Sequence, residues 1–409
     1  MNKQIIIWMI FNIQLSIFNI ELYAQSTWEK VYTILQTSCV SISCHDNVSP
    51  VGLLNLQGSG ADPMQQVYNN LFNQTPTNPY AQGQGFKRVL PGDPHRSFLF
   101  RKIQSKVTAL DSDITLNIAE GTAMPSFGFP LSDENKELIR QWILYGAPDA
   151  GAGDVVDTAL INKYYTGNGK PSMPNPPPAP NANEGFQIHF GPFFVDTLSE
   201  TEYHFKYSTR LADSIEINRV DILMGNYSHH FILYRIYDET LVADGLTFDG
   251  PAFNNREGVT AVQYSDSLFL PVGTAFVWPD AAFLDLNSHY INFSPDSVLA
   301  CEVYINIYTQ PVGFAKQIMK SAGIPGGLFS PPFLIVQNDG NPDTVETPYC
   351  STCPGVKPAT DLFVWSMNSH THQWGTDFDI YKRNSDGTRG MKYFDASHIN
   401  GDPNNAFVE

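Results

Sequence analysis

The sequence predicts a multidomain protein, in which an all-α N-terminal domain is followed by a mostly β region of sandwich or barrel type. Its 409 residues are enough for two or three domains. The clearest helical pattern begins at Ser132, a good N-cap, carries an apolar stripe through Trp142, and ends at Gly146. Beyond residue 185, short runs of β-branched and aromatic residues alternate with turn residues, as in sandwiches and barrels.

The first 24 residues have the pattern of a secretory signal peptide. A mostly apolar stretch precedes Leu22-Tyr23-Ala24, and we expect cleavage after Ala24, with Leu22 an imperfect fit to the small-residue rule. A membrane anchor is the alternative, but three polar residues interrupt the stretch: Asn12, Gln14 and Asn19. We therefore expect a periplasmic or secreted protein, without a membrane span after cleavage.

Changes in composition divide the remaining chain. A Gly- and Pro-rich stretch should form an extended linker, and a second Gly/Pro cluster at 323–332 marks a boundary between two β units. The expected order is a helical domain at 27–150, a linker at 151–184, a β-sandwich at 185–311 and a second β-sandwich at 312–409. The net charge of -17 repels phosphate backbones, so nucleic acid is excluded as a partner.

The first candidate site is Cys39-Val40-Ser41-Ile42-Ser43-Cys44-His45, which holds two thiols and an imidazole in seven residues. Covalent attachment of haem c uses two thiols and an adjoining His, most often in the spacing Cys-x-x-Cys-His. Four residues separate the thiols here, and a local disulfide beside a surface His is the alternative. Met124, in a Gly- and Pro-containing loop, is a candidate for the sixth iron position; the alternative is a core-filling Met.

Further motifs give this region a family resemblance. They are Val51-Gly52-Leu53-Leu54-Asn55-Leu56, Arg88-Val89-Leu90-Pro91-Gly92-Asp93-Pro94, Ser97-Phe98-Leu99, Gly121-Thr122-Ala123-Met124-Pro125, Gly128-Phe129-Pro130-Leu131-Ser132 and Trp142-Ile143-Leu144-Tyr145-Gly146-Ala147-Pro148. With the Cys/His motif, residues 27–150 resemble a bacterial cytochrome c domain. The resemblance implies an all-α fold, a covalent haem on Cys39 and Cys44, and axial ligation by His45 and Met124.

The second candidate site consists of histidines in the β region: the pair His229-His230, the single His289, and His370-Thr371-His372. Residues i and i+2 of a strand face the same side, so His370 and His372 can bind one metal. Adjacent histidines face opposite sides, so His229 and His230 can share a metal only where the strand is bulged or ends. Imidazole-rich sites suit copper or zinc. We interpret four other histidines as ordinary polar residues: His95, His189, His204 and His398.

The order of these histidine motifs carries a second resemblance. With Leu270-Pro271-Val272-Gly273 and the run from His370 to Phe378, residues 186–409 resemble the type II copper, ascorbate-dependent monooxygenases, the family of peptidylglycine α-hydroxylating and dopamine β-monooxygenases. The resemblance implies two jelly-roll β-sandwiches with one copper each. It assigns the electron-transferring copper to His229, His230 and His289, and the oxygen-activating, catalytic copper to His370 and His372.

One feature departs from that family, which completes the oxygen-activating site with a Met on a later strand. The chain stops at Glu409, Met391 follows the motif closely, and Met367 precedes it. We therefore expect the second sandwich to be incomplete. Cys350 and Cys353 could form a redox pair, a zinc half-site or a structural disulfide, which we favour, and Cys301 is expected to be a buried thiol.

The sequence therefore predicts an exported haem- and copper-dependent monooxygenase that inserts one oxygen atom from dioxygen into a C–H bond. A small molecule or peptide would be the substrate, and ascorbate or a redox protein the electron donor. The alternatives are a non-catalytic electron-transfer or copper-binding protein, and a zinc hydrolase, which lacks a Glu at a recognised spacing from the histidines.

Overall fold

The computed structural model describes most of the chain in two compact units, Met1–Ser321 and Ala322–Glu409. The described residues are 25–42, 44–104, 114–126, 130–171, 173, 175–320, 365 and 379–395. Within them, no helix combines the length and apolar character needed to cross a bilayer.

The described α-helices of the first unit all precede its strands. They are α1 (Thr27–Cys39), α2 (Pro63–Leu71), α3 (Pro79–Gly83), α4 (Phe98–Gln104), α5 (Asp133–Leu144) and α6 (Thr158–Lys163). Helix α1 begins with a capping box in which Ser26 and Glu29 satisfy each other's backbone amides. Helix α5 begins after the predicted N-cap, since the Ser132 side chain accepts a hydrogen bond from the Asn135 amide.

Two sheets form a β-sandwich in the same unit. Their strands are β1 (Gly169–Pro171), β2 (Gly185–Val195), β3 (Ser199–Ser208), β4 (Ile215–Met224), β5 (Ser228–Ile236), β6 (Leu246–Thr247), β7 (Arg256–Val262), β8 (Asp266–Phe269), β9 (Thr274–Trp278), β10 (Phe283–Asn292), β11 (Val298–Gln310) and β12 (Gln317–Ile318). The seven-stranded sheet has the order β1-β11-β4-β9-β12, with β2 beside β11 and β8 beside β4. The five-stranded sheet has the order β6-β3-β10-β5-β7.

Strand β11 is buried on both of its faces. One face contributes residues such as Val303 and Ile305 to the core between the two sheets. The other face contributes Val298 and Ala300 to a second core, which contains the helices and the stacked rings of Trp28 and Trp142, 5.1 Å apart. The helices therefore form a layer on the outer face of the seven-stranded sheet.

Buried polar contacts join this helical layer to the sheet. Arg140 is 2% exposed; it pairs with Glu137 at 2.7 Å and donates to the Pro192 carbonyl at 2.6 Å. At the surface, Lys163 pairs with Asp196 at 2.5 Å. Because these groups bridge α5, α6 and the region of β2, helices and sheet share one hydrogen-bonded interface.

The predicted fold class is wrong. The described residues are 34% strand and 25% helix, and they contain no separate all-α N-terminal domain of the cytochrome c kind. The physical reason is that the apolar sides of the helices pack on β2 and β11 rather than on each other alone, so helices and sandwich form one compact unit.

Some of the described elements lie in the stretches that composition assigns to a linker and to a second sandwich. The stretch expected to be a linker, 151–184, contains α6 and β1. Most residues expected in a second sandwich, 312–409, lie outside the described residues. The described ones form β12 and, in the second unit, an antiparallel pair of β13 (Asp379–Arg383) with β14 (Arg389–Asp395).

Candidate metal centre

A bulge in β5 brings the paired histidines onto one face of the five-stranded sheet. In the antiparallel pairing of β5 with β10, His230 lies opposite His289, while the next residue of β10, Tyr290, lies opposite Ser228. His229 is therefore the extra residue of the bulge. Such an insertion interrupts the alternation of side chains, which is the condition under which adjacent histidines can share a site.

The three imidazoles lie within contact distance of one another. Their ring centroids are 5.7 Å apart for His229 and His230, 5.1 Å for His229 and His289, and 4.8 Å for His230 and His289. His230 and His289 are buried, and His229 is half-buried. We call these three residues the histidine trio.

The side chains of the trio stand close together without surrounding a common point. Among the described residues, no group of three or more His, Cys, Asp or Glu side chains is arranged to hold a metal ion as it stands. One ring is held from outside the trio, because Nε2 of His289 lies 2.7 Å from Oε1 of Glu200. Metal binding would therefore need side-chain rotation within the trio.

A fourth histidine on this sheet, His204, is held differently. Nδ1 of His204 lies 3.0 Å from Oδ2 of the buried Asp285, and its Nε2 lies 3.2 Å from Nδ2 of Asn287. Arg256 completes the cluster with a 3.2 Å contact to Asp285. Both ring nitrogens of His204 are occupied, so its structure fits the expected role of an ordinary buried polar residue.

The predicted haem-binding thiols lie at the end of α1 and in the loop after it. Cys39 and Cys44 are free thiols. Burial, reinforced by the nearby Cys44, raises the pKa of Cys39 to about 11. Nδ1 of His45 lies 3.0 Å from the carbonyl oxygen of Leu54, and burial is the main cause that lowers the pKa of His45. That contact leaves Nε2 as the nitrogen available to iron.

The surroundings of this loop suit a large apolar group. Cys39 and Met124 both pack against the core of the helical layer. Several apolar side chains nearby are more than half exposed: Ile42, Val48, Leu53 and Ile118. Two hydrogen bonds bring the segments of Leu53 and Ile118 close to each other. Thr77 donates to the carbonyl of Gly52, and the next residue, Asn78, donates to the carbonyl of Ala119. A large apolar group bound beside the loop would remove such side chains from water.

Several predicted residues lie outside the described part of the chain: His370, His372, Cys350 and Cys353. Met391 is on β14 and is 62% exposed. Cys301 is fully buried on β11, as expected.

The sequence reasoning missed Glu200, the residue that holds His289. Its signal was the alternation along β3, where Glu200, Glu202 and His204 recur at every second position and so share one face of the strand.

No protein-family model matches the chain. No curated protein matches it either.

Proposed function

We propose that the chain is an exported copper- and haem-dependent monooxygenase that inserts one oxygen atom from dioxygen into a C–H bond of a small molecule or peptide. The observation that carries the proposal is the β5 bulge, which gathers His229, His230 and His289 on one face of a sandwich sheet. Ascorbate or a redox protein would be the electron donor.

The trio has the chemistry of a copper site. Imidazole nitrogens suit copper in both of its oxidation states. Glu200 and Glu202 stand on the same sheet face and favour a bound cation electrostatically. A copper ion held there would supply a one-electron redox centre. The trio lies on paired strands rather than on loops, so the backbone limits how far its ligands can move.

The oxygen-activating copper belongs, in this proposal, to His370 and His372. Their i, i+2 spacing would place both imidazoles on the same face of an extended segment. This half of the proposal rests on the sequence resemblance.

The haem would be held in the helical layer. Cys39 and Cys44 would supply the thioether sulfurs, with His45 and Met124 as axial ligands. Two observations support the fit: the Leu54 carbonyl fixes which nitrogen of His45 is available, and Met124 packs on the same core as Cys39. Bound haem would cover the exposed apolar side chains around the loop and remove their surface from water. When bound, the haem would supply one-electron transfer toward copper, since each monooxygenation consumes two electrons.

The test is metal and oxygen analysis of the full chain, purified from an oxidising compartment with haem supplied. We expect bound copper, covalent haem and ascorbate-driven oxygen consumption. A chain with His229 and His230 both replaced by Ala should lose the trio's copper, whereas His95→Ala should not. Copper that cycles between oxidation states without oxygen consumption would instead identify a non-catalytic electron-transfer protein. A chain that binds no copper would contradict the proposal.

A further inference from the structure

Glu200 reaches His289 diagonally across two paired strands. The register of β3 and β10 places Glu202 opposite His289 and Glu200 opposite Ile291. Glu202 nevertheless accepts a hydrogen bond from Asn287 at 2.7 Å, and Glu200 makes the 2.7 Å contact with His289. The carboxylate that contacts the trio is therefore that of Glu200, and not that of Glu202, which lies directly opposite His289.

This contact selects between the two nitrogens of His289. An ionised carboxylate only accepts hydrogen bonds, so Nε2 must carry the proton, and the neutral ring then has its lone pair on Nδ1. A metal ligand needs that lone pair. We infer that Glu200 is a positioning residue of the metal centre, whose carboxylate fixes the tautomer and rotation of His289 so that Nδ1 binds the metal.

The inference deepens the proposed function and rests on it. His204 supplies the contrast, because it contacts Asp285 through one nitrogen and Asn287 through the other. His289 belongs to a trio of imidazoles, whereas His204 lies within a closed cluster of other polar groups. The same type of carboxylate contact therefore completes a structural cluster at His204 and orients a ligand at His289.

The exposure of Glu200 indicates that it orients His289 rather than stabilises the fold. The side chain of Glu200 is 58% exposed, while that of His289 is 7% exposed. A hydrogen bond whose acceptor lies mostly in water contributes little to the free energy of unfolding. Loss of Glu200 should therefore change how His289 binds metal much more than it changes the stability of the sandwich.

The carboxylate also changes the donor strength of the ring. Hydrogen bonding from Nε2–H to a carboxylate makes an imidazole a stronger base, and a stronger base favours the more highly charged metal ion. Removal of Glu200 should therefore weaken binding of Cu(II) more than that of Cu(I), and should raise the reduction potential of the copper.

The test uses the full chain with 15N-labelled histidine and three variants. Glu200→Ala removes the contact, Glu200→Gln keeps an acceptor oxygen without the charge, and Glu202→Gln removes a charge from the same face while leaving His289 held. Two-bond 1H–15N NMR of the metal-free chain reports the tautomer. Competition with a copper chelator reports Cu(II) affinity, and redox titration the potential.

We expect the Nε2–H tautomer of His289 in the wild-type chain and in both Gln variants, and a mixture in Glu200→Ala. Cu(II) affinity should fall about 10–100-fold in Glu200→Ala and least in Glu202→Gln. Unchanged tautomer, affinity and potential in Glu200→Ala would overturn this inference alone. A wild-type chain without copper at His289 would overturn the proposed function and this inference together.

Discussion

His230 lies directly opposite His289 across the β5–β10 pair, with ring centroids 4.8 Å apart, and the register breaks at the following residue. Two of the three candidate ligands are thus ordinary cross-strand neighbours, whose side chains meet by virtue of the pairing itself. Only His229 depends on the irregularity. The site therefore needs regular pairing at His230 and His289, and a break in the pairing at the neighbouring His229.

We predict that His229→Ala weakens copper binding while leaving the fold intact. The substitution removes one imidazole from a half-buried position and keeps the backbone of the bulge. Loss of a residue that only holds a ligand in place lowers metal affinity roughly 10–100-fold. Loss of the ligand His229 itself should lower the copper affinity by more than that. Equilibrium dialysis measures the affinity and circular dichroism the fold. His95→Ala, on the short helix Pro94–Arg96, is the control, and equal affinities in the two variants would remove His229 from the site.

For the haem, we predict a band that keeps peroxidase activity on a denaturing gel and loses it when Cys39 and Cys44 are both replaced by Ala. Met124→Ala should lower the reduction potential, because a thioether ligand favours ferrous iron. Met64→Ala is the matched control, since Met64 packs against the same helical core. A colourless wild-type band, or an equal shift of potential in both Met variants, would contradict this assignment.

Thiol chemistry gives a prediction for the haem-free chain. Because the pKa of Cys39 is raised to about 11, little thiolate is present at pH 8. Alkylation of Cys39 by iodoacetamide should therefore be slow, and its rate should rise about tenfold per pH unit between 8 and 10. Mass spectrometry of the digested chain follows each Cys. Cys301 should react only after unfolding, and haem-loaded chain should resist alkylation at Cys39; rapid labelling of Cys39 at pH 8 would refute the prediction.

The contact between Arg140 and Pro192 predicts coupled unfolding of helices and sheet. Arg140→Ala leaves Glu137 buried without its cationic partner, which costs about 3–5 kcal/mol in the free energy of unfolding. Arg96→Ala, in a more exposed pair with Asp93, should cost no more than about 1 kcal/mol. Urea titration followed by Trp fluorescence and by far-UV circular dichroism should give coincident transitions. Separate transitions for the two signals would show that the layers unfold independently.

Local signals in the sequence were sufficient for parts of this structure. The N-cap at Ser132 and the glycine after α5 were predicted, and Gly146 has the positive φ of +86° that such a helix end needs. The bulge at His229 was a stated condition for a shared metal site, and the register contains it.

The missed features are long-range ones. Periodicity marked the apolar stripe of α5 but not the burial of its charged residues Glu137 and Arg140, since a charged side chain is buried only when a distant partner meets it. The long apolar run of β11 was a readable sign that the strand is covered on both faces. The alternation along β3 places Glu200 and Glu202 on one face, but it does not show which of them contacts His289, because the contact from Glu200 is diagonal to the register.

A fragment that starts at residue 185 would leave one side of β11 in water, together with Phe194 of β2, which faces the helical core. The bare surface would be apolar and would lie on a sheet that has also lost its parallel neighbour β1, so such a fragment should self-associate. Removing the helices for crystallisation or for metal titration would therefore yield aggregates, and biochemical work on the histidine trio has to carry residues 27–320 as a whole.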